Sequence, residues 1–235
     1  MINKFLSRLQ TPKQRIKLSD EDLDDIDDIT KQFRNTLICG ATFGAIRDVI
    51  TIILEDQKPF YTFTTIALDS LNTGLELSTF GLFDGMARVF LRPNTKSLKT
   101  WIPWTLMTSA SSTLANRMIM NPLSNYYFND NISMKGYFNK IGDKIAYDAG
   151  FNMTSRIANQ HLPKSEKLGG EFARSTSTIA IGSLGATIAS APFVMQDKSV
   201  SFGKLLRDFG HSVPLVVIDN ALYTIVQKSL TPYLK

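Results

Sequence analysis

The feature that most constrains this chain is an internal repeat. Three segments of similar sequence begin at residues 36, 105 and 178, so their starts are 69 and 73 residues apart. The fifth and ninth residues of each segment are small, and small residues four positions apart share one helical face where another backbone can approach closely. The six positions predicted to pack helices in this way are Gly40, Gly44, Ser109, Thr113, Gly182 and Ala186.

A second marker recurs with nearly the same period. In each copy an aromatic residue is followed five positions later by a basic residue, and the first copy also carries an acid. Two markers with one period favour three copies of a two-helix unit, over residues 33–97, 98–168 and 169–235. The residues of this marker are Phe83, Asp84, Arg88, Phe151, Arg156, Tyr223 and Lys228.

The repeat predicts an all-α fold with six main helices and a short amphipathic helix inside each unit. No segment sustains the period-two alternation of a strand. A proline follows each second helix, at positions 93, 163 and 232, as expected for a stop signal. We expect one helical domain over residues 31–235. Its first helices are predicted near 33–56, 100–121 and 175–196, and its second helices near 66–92, 143–161 and 212–231.

Composition excludes several classes of function. Two histidines and one cysteine, Cys39, are too few for an intrachain disulfide or a zinc site built from His and Cys. Asp208 and His211 lie near two serines, but nothing resembles a nucleophile elbow or a phosphate-binding glycine loop. The basic residues are spread along the chain, which disfavours nucleic acid. We therefore expect no catalytic residues, no metal and no nucleic-acid partner.

Residues 1–30 form an extension with two parts. Residues 1–19 carry five basic groups and no acid in an amphipathic pattern. This pattern is typical of a mitochondrial targeting helix, although an ordinary surface helix explains it equally well. Residues 20–28 then carry seven acids and no base, which predicts a solvated, flexible or partner-facing segment.

Hydropathy favours a membrane-embedded bundle. Ser175–Gln196 contains 22 residues without a charge, which is long enough to cross a bilayer, and Thr100–Asn116 contains 17. Trp101 and Trp104 follow two lysines, and we interpret them as membrane-interface anchors. In such a bundle the arginines need partners. Either they form ion pairs that fix helix register, or they bind an anionic solute or lipid headgroup, for which the candidates are Arg47 and Arg117.

Three repeats of two helices with amphipathic middle segments resemble the plan of the mitochondrial carrier family. Small residues that lead to Pro122 and Pro192 are similar to the odd-numbered carrier helices, and Phe83-Asp84-Gly-Met-Ala-Arg88 is similar to the end of an even-numbered one. Inner-membrane translocase channel-like proteins share the small-residue helices but not the three repeats. The resemblance to the carrier family implies that the protein resides in the mitochondrial inner membrane.

The gate signature of the carrier family, Pro-x-acid-x-x-base, is degenerate here. The first unit has no proline at this point, no charge follows Pro122 in register, and the charges after Pro192 are displaced. A carrier scaffold without gate charges implies a non-catalytic structural or accessory subunit of a mitochondrial inner-membrane complex. Its expected partners are other membrane subunits and anionic lipid, with no cofactor beyond a bound lipid such as cardiolipin. The alternatives are a transporter of a small anionic metabolite or nucleotide, and a soluble all-helical adaptor.

Overall fold

The computed structural model describes residues 19–55, 63–91, 98–128, 141–165, 167–196 and 200–234. Within these ranges all regular structure is helical, which confirms the all-α prediction with six main helices. The helices are α1 (Asp20–Glu55), α2 (Phe63–Leu91), α3 (Leu98–Phe128), α4 (Ile141–His161), α5 (Leu168–Val194) and α6 (Phe202–Leu230), followed by a 3₁₀ turn (Thr231–Tyr233).

Each helix packs against its neighbour in sequence, and α6 returns to α1, so the six helices form a closed ring. Neighbours run antiparallel, since Gly40 of α1 lies opposite Gly74 of α2 while the later Gly44 lies opposite the earlier Ser70. The same order holds between α3 and α4, where Ser109 and Thr113 meet residues 152 and 148. The ring is therefore an up-and-down bundle.

The ring closes through contacts between the first and last helices. The Tyr223 ring packs edge-on against the Phe43 ring, with 5.8 Å between centroids. Arg34 donates from Nη2 to the carbonyl oxygen of Leu234 at 2.8 Å. These two contacts lie at different levels of the ring, so α6 runs along α1 rather than crossing it at one point.

Two helix pairs approach closely through glycine. A Cβ added to Gly74 of α2 would lie 2.6 Å from the carbonyl oxygen of Leu37 in α1. A Cβ added to Gly150 of α4 would lie 2.6 Å from both the Gly185 carbonyl oxygen and the Ala189 Cβ in α5. Because real Cβ atoms essentially never come so near, both interfaces require glycine.

The first helix starts earlier than predicted. Ser19 and Asp22 form a capping box: Asp22 N donates to Ser19 Oγ at 3.2 Å, and Ser19 N donates to Asp22 Oδ2 at 2.9 Å. Acids are also favoured at the positive end of a helix dipole. The acidic run 20–28 is therefore the first part of α1, and the expected end of the extension at residue 30 falls inside this helix.

The other boundaries follow the proline signals more closely. Helices α2, α4 and α6 end at residues 91, 161 and 230, each within two residues of a proline. Pro122 and Pro192 lie inside α3 and α5, which continue beyond them. The predicted targeting helix and the predicted middle segments of the first two units lie outside the described residues. In the third unit, residues 202–211 belong to α6.

Among the described helices, three are long and apolar enough to cross a membrane, judged by length and composition. They cover Asp20–Ile53 in α1, Gly169–Val194 in α5, and Phe202–Tyr233, which runs from α6 into the 3₁₀ turn. The charge-free segment that begins at Thr100 belongs to α3, which is not one of the three. These three helices are neighbours in the ring, in the order α5, α6, α1.

We predict that Gly74→Ala destabilises the protein because its methyl group has no room against α1. Overpacking of this kind costs about 1–3 kcal/mol, or roughly 5 °C in the unfolding midpoint of a chain of this size. Gly81→Ala is the matched control, since it lies in the same helix with nothing within 4 Å of its added Cβ. Circular dichroism melts of the purified chain check this, and equal midpoints for the two variants would contradict it.

Candidate functional site

The interior of the ring is polar where α2, α3 and α4 meet. Thr105, Thr108 and Ser109 of α3 are almost wholly buried, as is Ser78 of α2. The two threonine hydroxyls donate to carbonyl oxygens of the preceding turn, at 3.0 and 3.1 Å. Hydroxyls satisfied within their own helix can be buried without loss of a hydrogen bond. The short side chains of α3 therefore let its neighbours come close.

A buried carboxylate joins three helices at one level of this interior. Asp84 of α2 is 7% exposed. Its Oδ1 accepts from Trp104 Nε1 of α3 at 2.9 Å. Its Oδ2 accepts from Arg88 Nε at 2.9 Å and also pairs with Arg156 Nη2 of α4. The Arg156 guanidinium lies 5.2 Å from the centroid of the Phe80 ring. We call Asp84, Arg88, Trp104 and Arg156 the Asp84 cluster.

The aromatic–base marker residues separate into different environments. Asp84 and Arg88 of the first unit meet Arg156 of the second unit in the Asp84 cluster. Phe83 is half-buried in α2, and Tyr223 packs on α1. Lys228 is exposed. The repeat therefore identified Asp84, Arg88 and Arg156 as marker residues, but it did not predict that the three lie in one cluster.

A second cluster joins the same helices a few turns away. Lys144 Nζ of α4 lies 3.4 Å from Glu76 Oε1 of α2 and 3.2 Å from Asp148 Oδ1 of its own helix. Thr113 Oγ1 of α3 donates to Asp148 Oδ2 at 2.6 Å. We call these four residues the Lys144 cluster. Its ammonium group is shared by two carboxylates, so the cluster carries a net negative charge.

The small residues at equivalent positions of the three repeats pack against helices that are not equivalent. Gly40 and Gly44 of α1 face α2, which belongs to the same unit. Gly182 of α5 instead faces α4 of the preceding unit, where its added Cβ would lie 2.8 Å from Phe151 Cε2. In the middle unit, Ser109 accepts a hydrogen bond at 3.1 Å from Asn152 of α4. Ala186 and Thr113, the other two positions, are also buried.

A cavity of about 460 Å³ lies between α2, α3 and α4, beside the Lys144 cluster. Asn72 and Asn116 line it and are joined by a hydrogen bond of 3.4 Å from Asn116 Nδ2, while Asn116 Oδ1 is buried without a partner among the described residues. Arg117, predicted to contact an anionic solute or lipid, also lines this cavity. Its positive charge and that of Lys144 are balanced by the two carboxylates of the cluster.

Arg47, the other candidate for anion contact, does not line that cavity. Its guanidinium lies 5.6 Å from the centroid of the Phe43 ring, and its Nη2 lies 3.7 Å from Asp48 Oδ1. Both neighbours belong to α1. The two arginines predicted to contact an anion therefore lie on different helices, α1 and α3, and have different surroundings.

Three residues of the Lys144 cluster, Glu76, Lys144 and Asp148, are not among the site residues predicted from the sequence. Lys144 lies four residues before Asp148, which is a common spacing for an ion pair on one helical face, and Glu76 lies eight residues before Asp84 on one side of α2. Trp104 was interpreted as an interface anchor, and this interpretation is wrong. Trp101 and Trp104 are both buried, and Asp84 supplies the acceptor that the Trp104 indole N–H needs inside a protein.

Comparison with protein-family models, curated proteins and solved structures finds no match to this chain. Across the described ranges, no group of three or more His, Cys, Asp or Glu residues is arranged to hold a metal ion.

We predict that Asp84→Asn is strongly destabilising, because it leaves the partly buried Arg156 guanidinium without its counter-charge. Removal of one member of a buried pair costs about 3–5 kcal/mol, or roughly 10 °C in the unfolding midpoint. Asp208→Asn, an exposed acid on α6, is the charge-matched control. Thermal melts followed by tryptophan fluorescence test this prediction.

The double variant Asp84→Asn/Arg156→Met separates the ion pair from general damage. If the two residues interact directly, the cost of the double variant is smaller than the sum of the two single costs. Strictly additive costs would show that the ion pair does not stabilise the fold.

Proposed function

We propose that this protein is a non-catalytic, membrane-embedded helical scaffold that serves as a structural or accessory subunit of a membrane complex. The observation that carries this proposal is the distribution of polarity. Threonine, serine, asparagine and aspartate side chains are buried between helices, whereas many large apolar side chains point outward. The exposed set includes Ile53, Met118, Leu215 and Ile218, each with more than half of its surface accessible.

This distribution suits a lipid environment better than water. A soluble monomer rarely exposes apolar patches larger than a few hundred Å². In a bilayer the outward Ile, Leu and Met side chains contact acyl chains at no cost, and helices associate through small residues and interhelical hydrogen bonds. Gly74 against α1 and Gly150 against α5 supply the first kind of contact, and Thr113 with Asp148 supplies the second.

The placement of charge also supports a scaffold. An ionisable group inside a membrane must face the bundle interior and be paired. Asp84 meets this requirement with partners on its own helix and on two others. An alternating-access transporter needs charged pairs that form in one state and break in the other. One carboxylate shared by three helices instead favours a fixed arrangement.

The finer proposal, an accessory subunit in the mitochondrial inner membrane, rests on sequence. The amphipathic, acid-free residues 1–19 and the resemblance to carriers with a degenerate gate support it. The outward apolar surfaces of α1, α5 and α6 are available to other membrane subunits and to lipid. Anionic lipid is favoured by the net charge of +5.

A transporter of a small anionic metabolite or nucleotide is the second candidate. The cavity beside the Lys144 cluster favours it, since two cations and several amides line one space. Glu76 and Asp148 line the same space and balance those cations. We therefore rank this function below the scaffold.

We expect the protein to stay in the membrane pellet after alkaline extraction, because its outward surface is apolar. Recovery in the supernatant would overturn membrane embedding and favour the soluble adaptor. After mild detergent extraction we expect migration in native electrophoresis as part of an assembly much larger than the 26.2 kDa chain. A species of the size of the chain with its detergent alone would contradict the accessory role.

Liposomes separate the two candidate functions. The purified chain is reconstituted with internal unlabelled nucleotide or organic acid, and uptake of the labelled compound is measured. The scaffold predicts uptake equal to that of protein-free liposomes. Saturable exchange would overturn the scaffold, and its loss in Lys144→Gln but not in Lys204→Gln would place transport in the cavity beside the Lys144 cluster.

A further inference from the structure

A second cavity, of about 540 Å³, lies at one end of the bundle. It is formed where α2 and α4 end and α3 and α5 begin. Its charged lining residues are all basic: Arg88, Arg156, Lys164 and Arg174, with Trp101 beside them. We call it the cationic cavity, and we propose that it binds the phosphate group of a phosphate ester.

The arginines of the cationic cavity are held in place from outside it. Asp84 pairs with Arg88 and Arg156, as described above. Arg174 of α5 donates from Nη2 to the carbonyl oxygen of Asn159 in α4 at 2.6 Å. A planar guanidinium has five N–H groups in a fixed fork, so one bond to a neighbouring acceptor orients the rest. The three guanidinium groups are thus oriented before any ligand arrives.

Two hydrogen-bond donors of the cationic cavity are not satisfied by the described residues. Arg156 Nη1 and Arg174 Nε are buried and have no hydrogen-bond partner among the described residues. A buried donor without a partner is unfavourable, and more so when the group is charged. Both atoms belong to residues that line the same space. An acceptor-rich ligand in that space would remove both costs together.

The charge balance identifies the ligand as an anion. The cavity has four cations in its lining, and Asp84, bonded to two of them, offsets one charge. Acids line two adjoining spaces: Glu171 shares one with Lys164 and Arg174, and Glu21, Asp22, Asp25 and Asp28 of α1 share the other with Arg88. Arg156 lines neither of these two spaces. Several oxygens on one centre suit several guanidinium donors, so phosphate fits this set better than a single carboxylate.

The size and position of the cavity point to a phosphate ester. The volume exceeds that needed by inorganic phosphate alone, so an ester substituent has room. The Arg88 side chain is 49% exposed, so the cavity is open to its surroundings at the bundle end. The ester is either a lipid headgroup or a soluble compound. The lipid source rests on the proposed membrane function, whereas phosphate recognition does not.

The test uses the full chain in mild non-ionic detergent. Inorganic phosphate, a short-chain phosphatidylglycerol and a short-chain phosphatidylcholine are titrated separately while tryptophan fluorescence is recorded, since Trp101 lines the cavity. Lys164→Gln/Arg174→Gln removes two cations without touching the Asp84 cluster. Lys204→Gln/Arg207→Gln removes two exposed charges of α6 as the matched control. Circular dichroism melts identify any variant that has lost its fold.

We expect saturable binding that is at least about tenfold weaker in the Lys164→Gln/Arg174→Gln variant and unchanged in the control, because the variant loses two cations that can form charge-assisted hydrogen bonds with phosphate. Added salt should weaken it further. Saturation by inorganic phosphate supports a soluble source, and saturation by phosphatidylglycerol alone supports the lipid source. No saturable binding, or equal loss in both variants, overturns the site. The alkaline extraction is read separately, so a soluble protein that binds phosphate would overturn only the proposed function.

Discussion

The rest of the structure depends on the burial of one carboxylate. Asp84 can be ionised inside the bundle only if hydrogen-bond donors and opposite charge surround it. Its own helix supplies one partner, and the others must come from neighbouring helices. The hydrogen bond from Trp104 fixes the rotation of α3 about its own axis, and the ion pair with Arg156 fixes the position of α4 along its axis. Once these two helices are placed, the hydroxyl and amide contacts along the same surfaces fall into register, including the 2.6 Å hydrogen bond between Thr79 and Ser112.

The ring combines two ways of joining helices. At α1–α2 and α4–α5, glycine lets backbones approach, and dispersion contacts over a long surface hold each pair. The junctions α2–α3, α3–α4 and α5–α6 use hydrogen bonds between side chains. At α5–α6, for example, the buried Asn220 accepts from Ser175 Oγ at 3.1 Å and donates to Thr176 Oγ1 at 2.7 Å. Close packing tolerates some sliding along the pair, whereas hydrogen bonds between side chains do not, so the polar junctions set the register of the whole.

Sequence predicted what is local and missed what depends on pairing. The helix count and the ends near Pro93, Pro163 and Pro232 follow from signals within a few residues. The early start of α1 could have been predicted from Ser19 and Asp22, which are spaced as a capping box. The choice of Arg156 as the partner of Asp84 could not, because it depends on the antiparallel order of three helices. For the same reason the repeat did not predict that Gly182 of α5 faces α4.

The sixth helix, α6, is less buried than α1 and α5. Only 11% of its apolar span is buried, against 28% in the spans of α1 and α5. Its contacts with α1 include the Tyr223 ring on Phe43, and beyond the 3₁₀ turn the carbonyl oxygen of Leu234 accepts from Arg34. Because α6 follows the other five helices in the sequence, the ring can close only once they have been made. The junction of α6 with α1 is therefore the seam of the ring, at which helices far apart in sequence meet.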